Sequence, residues 1–406
     1  MPIQDVGRSV VVITTADAFS PPDNGGSKKI HDVVLALRDE FRLVVVTYSR
    51  NAEASRRARS YWQDSDIDFR FLAPRADLFG ATAAIKGSLR TAEQRRFRDE
   101  QQLVDALIAA DHRTRLLIDG LSGAPLARYY SGGVVISCND CASEMFAHEA
   151  RLNRSTAGRL MASLRARGAL RFERQYLHLA DRVHVVTAMD GASLCRINAG
   201  VRPAVIPLAS TGQTPNGRVA SPAGRRLRVL IWGNLALGTI HSGYLELVSA
   251  LRSESAWRSV DAAVLGRVAP SEFERLTGDL AARFQYRERA DDLDAFVSEY
   301  DVIVLPDLGG SGQKNRMLDA MRLSKCVVGL GEAFRGLPDE TAPYFVRCDD
   351  FRQVVQQVDA LAESGRWQAI GERARSVFER DLRFDAFRDK WCALMRSLPY
   401  LVRRQA

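Results

Sequence analysis

The feature that most constrains this chain is a repeated alternation. Short runs of β-branched apolar residues are separated by stretches with helical spacing. SVVVITT (9–15) is apolar on both faces, which a strand tolerates when both faces are covered, the condition of a parallel sheet. IHDVVLAL then has the spacing of a helix, and RLVVVTYS (42–49) returns to a strand. IDFRFLAP (67–74), RLLIDGLS (115–122), GGVVISCND (132–140), DRVHVVTA (181–188) and RPAVIPLA (202–209) continue the strands, with helical segments between them. Strand–helix repetition of this kind predicts a parallel sheet with right-handed crossovers and helices on both faces. Ligands then bind at the carboxyl ends of the strands.

STGQTPNGRVASPAGRR (210–226) breaks the pattern with Ser, Gly, Pro and Arg, the composition of a linker. A second series follows: RVLIWGN (228–234), VDAAVLGR (260–267), RFQYRE, DVIVLP (301–306) and CVVGLG (326–331), each separated by helical stretches. At 406 residues, two cores are also expected on size alone. The expected organisation is a first Rossmann-like domain over 1–212, a linker over 213–226, a second Rossmann-like domain over 227–380, and C-terminal helices over 381–406 that return to the first domain. Two such α/β domains would face each other across a cleft.

Six cysteines are too sparse for a disulfide framework, and the opening MPIQDVGRSVVVITTADAF holds only the apolar run VVVI. No segment approaches the roughly 18 apolar residues of a membrane span. The expectation is a reduced, cytoplasmic chain. The formal net charge of +8 admits nucleic acid, an anionic membrane or anionic substrates as partners. Nucleic acid is disfavoured, because aromatic residues are not interleaved with the basic ones. The basic stretch at 151–175 reads either as a solvated helix face or as peripheral contact with anionic lipid at the inner face of a membrane.

Several chemistries lack their motif. There is no G-x-S-x-G elbow and no GxxxxGK(S/T) loop. Cys138-x-x-Cys141 has no second Cys/His pair at zinc spacing, and the six histidines form no ligand cluster, so no metal and no cofactor are expected. His31 and His241 read either as cleft-lining or as solvated helix positions. DDLD (291–294) reads as the cap of the helix after it.

The most informative stretch is DVIVLPDLGGSGQKNRMLDAMRLSKCVV (301–328). A buried strand ends at Pro306, a glycine-rich loop follows with Gly310, Ser311 and Gly312, and a helix is expected to start near Gln313. Free backbone amides and the helix dipole at such a turn suit a phosphate. Lys314 and Arg316 add cations there, and Asp319 stands one turn further along, in reach of a ribose hydroxyl.

In GQKNRMLDAM (312–321) this stretch resembles the family 4 glycosyltransferases and their relatives of the GT-B fold. Their second domain carries a strand ending in proline, a glycine loop and a helix of the pattern G-x-(R/K)-x-K-x-L-E-A-M, with Asp319 here in place of the glutamate. GEAFRGLP (331–338) is similar to the loop after the family's next strand. The resemblance implies a nucleoside diphosphate sugar as donor. Its diphosphate would meet Lys314 and Arg316, the catalytic cations, and the turn Gly310, Ser311 and Gly312. Its ribose would meet Asp319, and Gly233 and Asn234 would lie beside it.

In the first half, DNGGSKKIHDVVLAL resembles the family's phosphate and acceptor loop, with Gly25 and Gly26 allowing close approach. A tight βα turn explains the same glycines. Within ISCNDCASEM, Asp140 holds the place of the family's catalytic His or Asp, with Asn139 second; a helix cap is the other reading of Asp140. The family generally retains anomeric configuration without a metal, and commonly builds polysaccharides, glycolipids or glycosylated natural products. A saccharide, lipid-linked or small-molecule acceptor would follow. The sequence departs from the family at Ser311, where a glutamate is widespread, at Ser324 and Cys326, and in lacking the arginine and lysine after RVLIWGN. Two alternatives stay open: an epimerase of the same fold, or a non-catalytic partner subunit.

Overall fold

The computed structural model describes residues 9–14, 25–48, 56, 59–63, 65–72, 97–153, 155–210, 225–236, 238–254, 256–337 and 344–404. The segment 213–226 read as a linker lies mostly outside them.

One unit groups Met1–Ala147, Leu160–Leu208 and Phe384–Ala406. Its elements are β1 (Ser9–Thr14), α1 (Gly25–Leu37), β2 (Arg42–Tyr48), β3 (Asp68–Leu72), α2 (Arg98–Ala110), β4 (Arg115–Asp119), β5 (Tyr130–Ser131) and β6 (Val134–Asn139). After these come α3 (Ala142–Leu152) and α4 (Thr156–Tyr176), whose residues within His148–Arg159 group with the other unit, then β7 (Arg182–Val185), α5 (Ala188–Ile197) and β8 (Pro203–Val205). The seven-stranded sheet runs β3-β2-β1-β4-β6-β7-β8, with every pairing parallel. Val12 sits between Val45 and Leu117 in register at its centre, and all three are fully buried. Burial on both faces is why these strands read as unbroken apolar runs; each such side chain contributes about 1.5–3 kcal/mol.

The other unit groups His148–Arg159 with Ala209–Arg383. It contains β9 (Leu227–Trp232), α6 (Gly238–Glu254), β10 (Val260–Leu265), α7 (Pro270–Thr277), β11 (Phe284–Arg287), α8 (Leu293–Ser298) and β12 (Val302–Leu305). It continues with α9 (Asn315–Arg322), β13 (Cys326–Leu330), β14 (Val346–Cys348), α10 (Phe351–Ser364) and α11 (Trp367–Asp381). Its six-stranded parallel sheet runs β11-β10-β9-β12-β13-β14. As read from DDLD, Asp292 caps α8 by accepting from the Ala295 amide at 2.9 Å.

The chain ends in α12 (Phe384–Ser397) and β15 (Val402–Arg403). Helix α12 packs on α1, with Cys392 Sγ 3.4 Å from the Ala36 carbonyl, while fully buried Trp391 lies against the His184 ring of β7. Strand β15 pairs antiparallel with β5, a contact that no periodicity announces because each strand is two residues long. Among the described residues no helix is long and apolar enough to cross a membrane. All six cysteines are free.

Candidate functional site

The carboxyl edge of the second sheet gathers most of the residues singled out in that half. Strand β12 ends at Leu305, and the chain turns through Gly310 at φ 131° and Gly312 at φ 63°, positive values that residues with side chains rarely adopt. The two turns spend the residues between strand and helix, so α9 begins at Asn315, two residues later than the sequence suggests, with Lys314 in extended backbone before it. Lys314 Nζ folds back over the loop, donating to the Ser311 carbonyl at 3.2 Å. A Cβ on Gly310 would stand 2.7 Å from that nitrogen, a contact the flexible lysine tip can relieve, so the glycine is needed for its backbone conformation. Burial draws the Lys314 ammonium below the usual lysine range, with Asp307 opposing and Arg316 assisting.

Arg316 is committed differently. Its Nη2 donates to both carboxylate oxygens of buried Asp307, at 2.8 and 3.1 Å, and its Nη1 donates to the Trp232 carbonyl. The guanidinium therefore clasps the ends of β9 and β12 together. Gly233 follows directly; a Cβ there would fall 3.0 Å from Arg316 Nη1 and 2.5 Å from Ile240 Cγ2. Asn234 turns the next loop by accepting from the Ala236 amide at 3.2 Å, and His241 Nδ1 stands 3.2 Å from the Leu235 carbonyl. Gly233, Gly310, Ser311, Gly312, Lys314 and Arg316 thus share one edge.

Asp319 lies on α9, a helical turn beyond. Its Oδ1 accepts from Ser210 Oγ at 2.8 Å, and Arg322 stands 3.8 Å away. Arg322 in turn reaches Asp294 of the DDLD run. Beyond β13, Glu332 and Arg335 form a 3.7 Å pair, and Gly336 has φ 85°. Asp307 was not visible as a site residue: it is a carboxylate beside Pro306 whose use depends on how the glycine turn brings back Arg316, nine residues on.

In the first unit, Gly25 and Gly26 are the opening residues of α1; the preceding loop lies outside the described residues. Asn139, the last residue of β6, has φ 69°, and the register with β7 slips between Ser137 and Asn139. Its Oδ1 is buried without a hydrogen-bond partner. Such strain concentrates where a chain must present a group to a ligand. Half-buried Asp140 comes next. The amides at the start of α3 are taken by other carboxylates: Glu173 accepts from Ser143 N at 3.0 Å and Asp190 from Cys141 N at 3.4 Å. Burial raises the Cys138 thiol well above its ordinary range and the Cys141 thiol to about 12, so both stay protonated at neutral pH.

Beneath this edge runs a buried chain of polar groups that the sequence did not reveal. Lys29 Nζ donates to Asp119 Oδ1 and to Ser137 Oγ, both at 2.6 Å. Ser137 Oγ lies 2.8 Å from His184 Nδ1, and His184 Nε2 lies 3.0 Å from the Ile206 carbonyl. The carbonyl can only accept, so Nε2 carries the hydrogen and Ser137 donates to Nδ1. His31, read as a cleft or solvated residue, is instead buried, with Nε2 3.0 Å from Tyr61 Oη and Nδ1 3.3 Å from Asp32. Among the described residues no three His, Cys, Asp or Glu side chains are placed to hold a metal ion.

No protein-family model matches the chain, and no curated protein sequence matches it. Solved structures do. Sucrose-phosphate synthase from Thermosynechococcus elongatus aligns over 96% of this chain and 98% of its own, with a TM-score of 0.68 at 14% identity. HepE of Anabaena, in complex with UDP, aligns over 96% of this chain and 100% of its own, with a TM-score of 0.62 at 14% identity. WaaG, a glycosyltransferase involved in lipopolysaccharide biosynthesis, aligns over 95% and 100%, with a TM-score of 0.61 at 16% identity. Two parallel α/β sheets and near-complete coverage show the GT-B fold.

Proposed function

We propose that this chain, on its GT-B fold, is a glycosyltransferase that takes a sugar from a nucleoside diphosphate sugar and passes it to an acceptor hydroxyl. One observation carries the reading: the turn through Gly310 and Gly312, with the partly dehydrated Lys314 cation folded over it, at the carboxyl edge of a parallel sheet. HepE, of the same fold, is described with UDP, in keeping with a diphosphate ligand. In this reading Lys314 and the loop amides stabilise the charge that grows on the leaving diphosphate, an interaction that strengthens in a dry site. Arg316 positions that edge through Asp307 and Trp232, and Asp319 holds the ribose after exchanging its Ser210 hydrogen bond. Asp140, with Asn139 second, is the first-unit catalytic residue that the family resemblance implies. Transfer with retention, no metal, and a role in cell-surface polysaccharide, glycolipid or natural-product glycosylation follow from the family resemblance.

Contact with an anionic membrane belongs to the same reading. Helix α4 exposes Arg159, Arg167, Arg171 and Arg174 together with Leu160 and Met161, while its one acid, Glu173, is buried. An outward face of this composition suits a lipid surface or a lipid-linked acceptor.

Ser311 in place of the widespread glutamate favours one other reading, a donor-binding subunit without turnover. Incubating the chain with a panel of nucleotide sugars and saccharide or lipid acceptors separates these. A transferase releases nucleoside diphosphate in proportion to a glycosylated product. Interconversion of donors without release indicates an epimerase, and neither outcome, with intact donor binding, indicates the non-catalytic subunit.

A further inference from the structure

The second unit has another feature at the opposite edge of its sheet. A cavity of about 860 Å³ opens among the segments that lead into β9, β10 and β11. That volume lies in the range of small-molecule sites, roughly 300–1,000 Å³. Five arginines line it, Arg226, Arg228, Arg252, Arg258 and Arg283, against two aspartates, Asp261 and Asp279, for a formal lining charge of +3. The transfer chemistry proposed above uses the carboxyl edge and leaves this one without a role.

Contacts hold Arg226, Arg228, Arg252 and Arg283 in place. Arg283 Nη2 donates to the carbonyls of Ala256, at 2.7 Å, and Trp257, at 3.3 Å, and Arg226 Nη2 donates to the carbonyl of Arg258. Three successive carbonyl oxygens, which would repel an anion, are thereby covered by guanidinium groups. Arg252 is fixed by Asp279 at 2.8 Å and the Thr277 carbonyl at 2.7 Å, and Arg228 by Glu299 at 2.8 Å while lying over the Tyr300 ring. A guanidinium has five N–H donors, so these contacts orient those four planes and leave donors for a ligand.

The turn carrying Arg258 is itself unusual. Trp257 has φ 58°, a conformation that a bulky residue rarely adopts. Its amide donates to Asp359 at 3.2 Å and its indole Nε1 to the Val355 carbonyl at 3.2 Å. Helix α10 thus pins a strained turn whose visible product is the arrangement of carbonyls and arginines at the cavity.

We propose that this cavity is a second ligand site, taking a small soluble anion that bears two or more phosphate charges. The proposal is independent of the glycosyltransferase reading. The test is calorimetric titration of the full chain with inorganic pyrophosphate, while the indole N–H signals of its five tryptophans are followed by NMR. The wild type should bind at two places, one of which moves the Trp257 indole. Arg226→Gln/Arg258→Gln should lose that event and its indole shift at least tenfold, and Lys314→Gln should spare both. Because the double variant changes exposed residues only, its fold is checked by its remaining indole spectrum, with the single charge reversal Arg258→Glu as the second probe. Unchanged pyrophosphate binding and an unmoved Trp257 signal in both arginine variants would overturn the site. Loss of the cavity event with no effect of Lys314→Gln on the other would leave this site standing and count against the donor reading alone.

Discussion

Asp307 and Arg316 show how one pair of residues sets an edge of the sheet. The carboxylate is buried and both of its oxygens accept from a single guanidinium nitrogen. Removing one partner of a buried pair strands the other's charge, which costs about 3–5 kcal/mol. Arg316→Ala is therefore expected to lower unfolding stability by about 3 kcal/mol in urea titration, and Asp307→Asn in the same background should recover part of it. A loss under about 1 kcal/mol would mean the clasp is dispensable. In the first unit, burial and then the Lys29 charge hold His184 neutral down to a pKa of about 3, against 6.5 when exposed. Between those values the unfolded chain binds a proton that the folded chain refuses, so stability falls as pH falls, by about 1.4 kcal/mol per pH unit. Urea titrations from pH 6 to pH 4 should show that extra slope in the wild type and not in His184→Asn; parallel curves would refute the neutral assignment. Little of this was legible beforehand, because Lys29 lies 90 residues from Asp119 and 108 from Ser137.

Elements were far easier to read than the contacts between them. The strands announce themselves because both faces are covered, as in Val10–Ile13 and Val302–Leu305. Helix α9 begins at Asn315 where the sequence suggested Gln313, since Gly310 and Gly312 adopt left-handed backbone that residue types permit but do not dictate. The pairing of β5 with β15 escaped entirely, each strand being too short to carry a period. Helix α4 lies between these cases. Its basic composition was plain, but that Glu173 turns inward and leaves an outward face of arginines with Leu160 and Met161 is a fact of packing. If that face meets lipid, the chain should sediment with vesicles containing anionic phospholipid, less as salt rises, and hardly at all with zwitterionic vesicles. Arg167→Glu/Arg171→Glu should reduce sedimentation at least tenfold. Equal sedimentation of the variant would leave the arginines as a solvated face.

At the scale of the molecule, two strand–helix series become two parallel sheets, each with its glycine-bearing carboxyl edge, and the last helix, α12, returns to pack on α1 of the first unit. In the proposed function, the edge holding Gly233, the 309–312 turn and Lys314 binds the diphosphate of a nucleotide sugar. The most direct measurement is a thermal-shift and calorimetric titration of the wild type and Lys314→Ala with UDP, GDP, ADP and TDP. One of the four should stabilise the wild type by about 2.7 kcal/mol at 100 times its dissociation constant, and Lys314→Ala should bind it at least tenfold more weakly. If no nucleoside diphosphate binds, or if Lys314→Ala binds as tightly as the wild type, the edge is not a donor site and the proposed function falls with it.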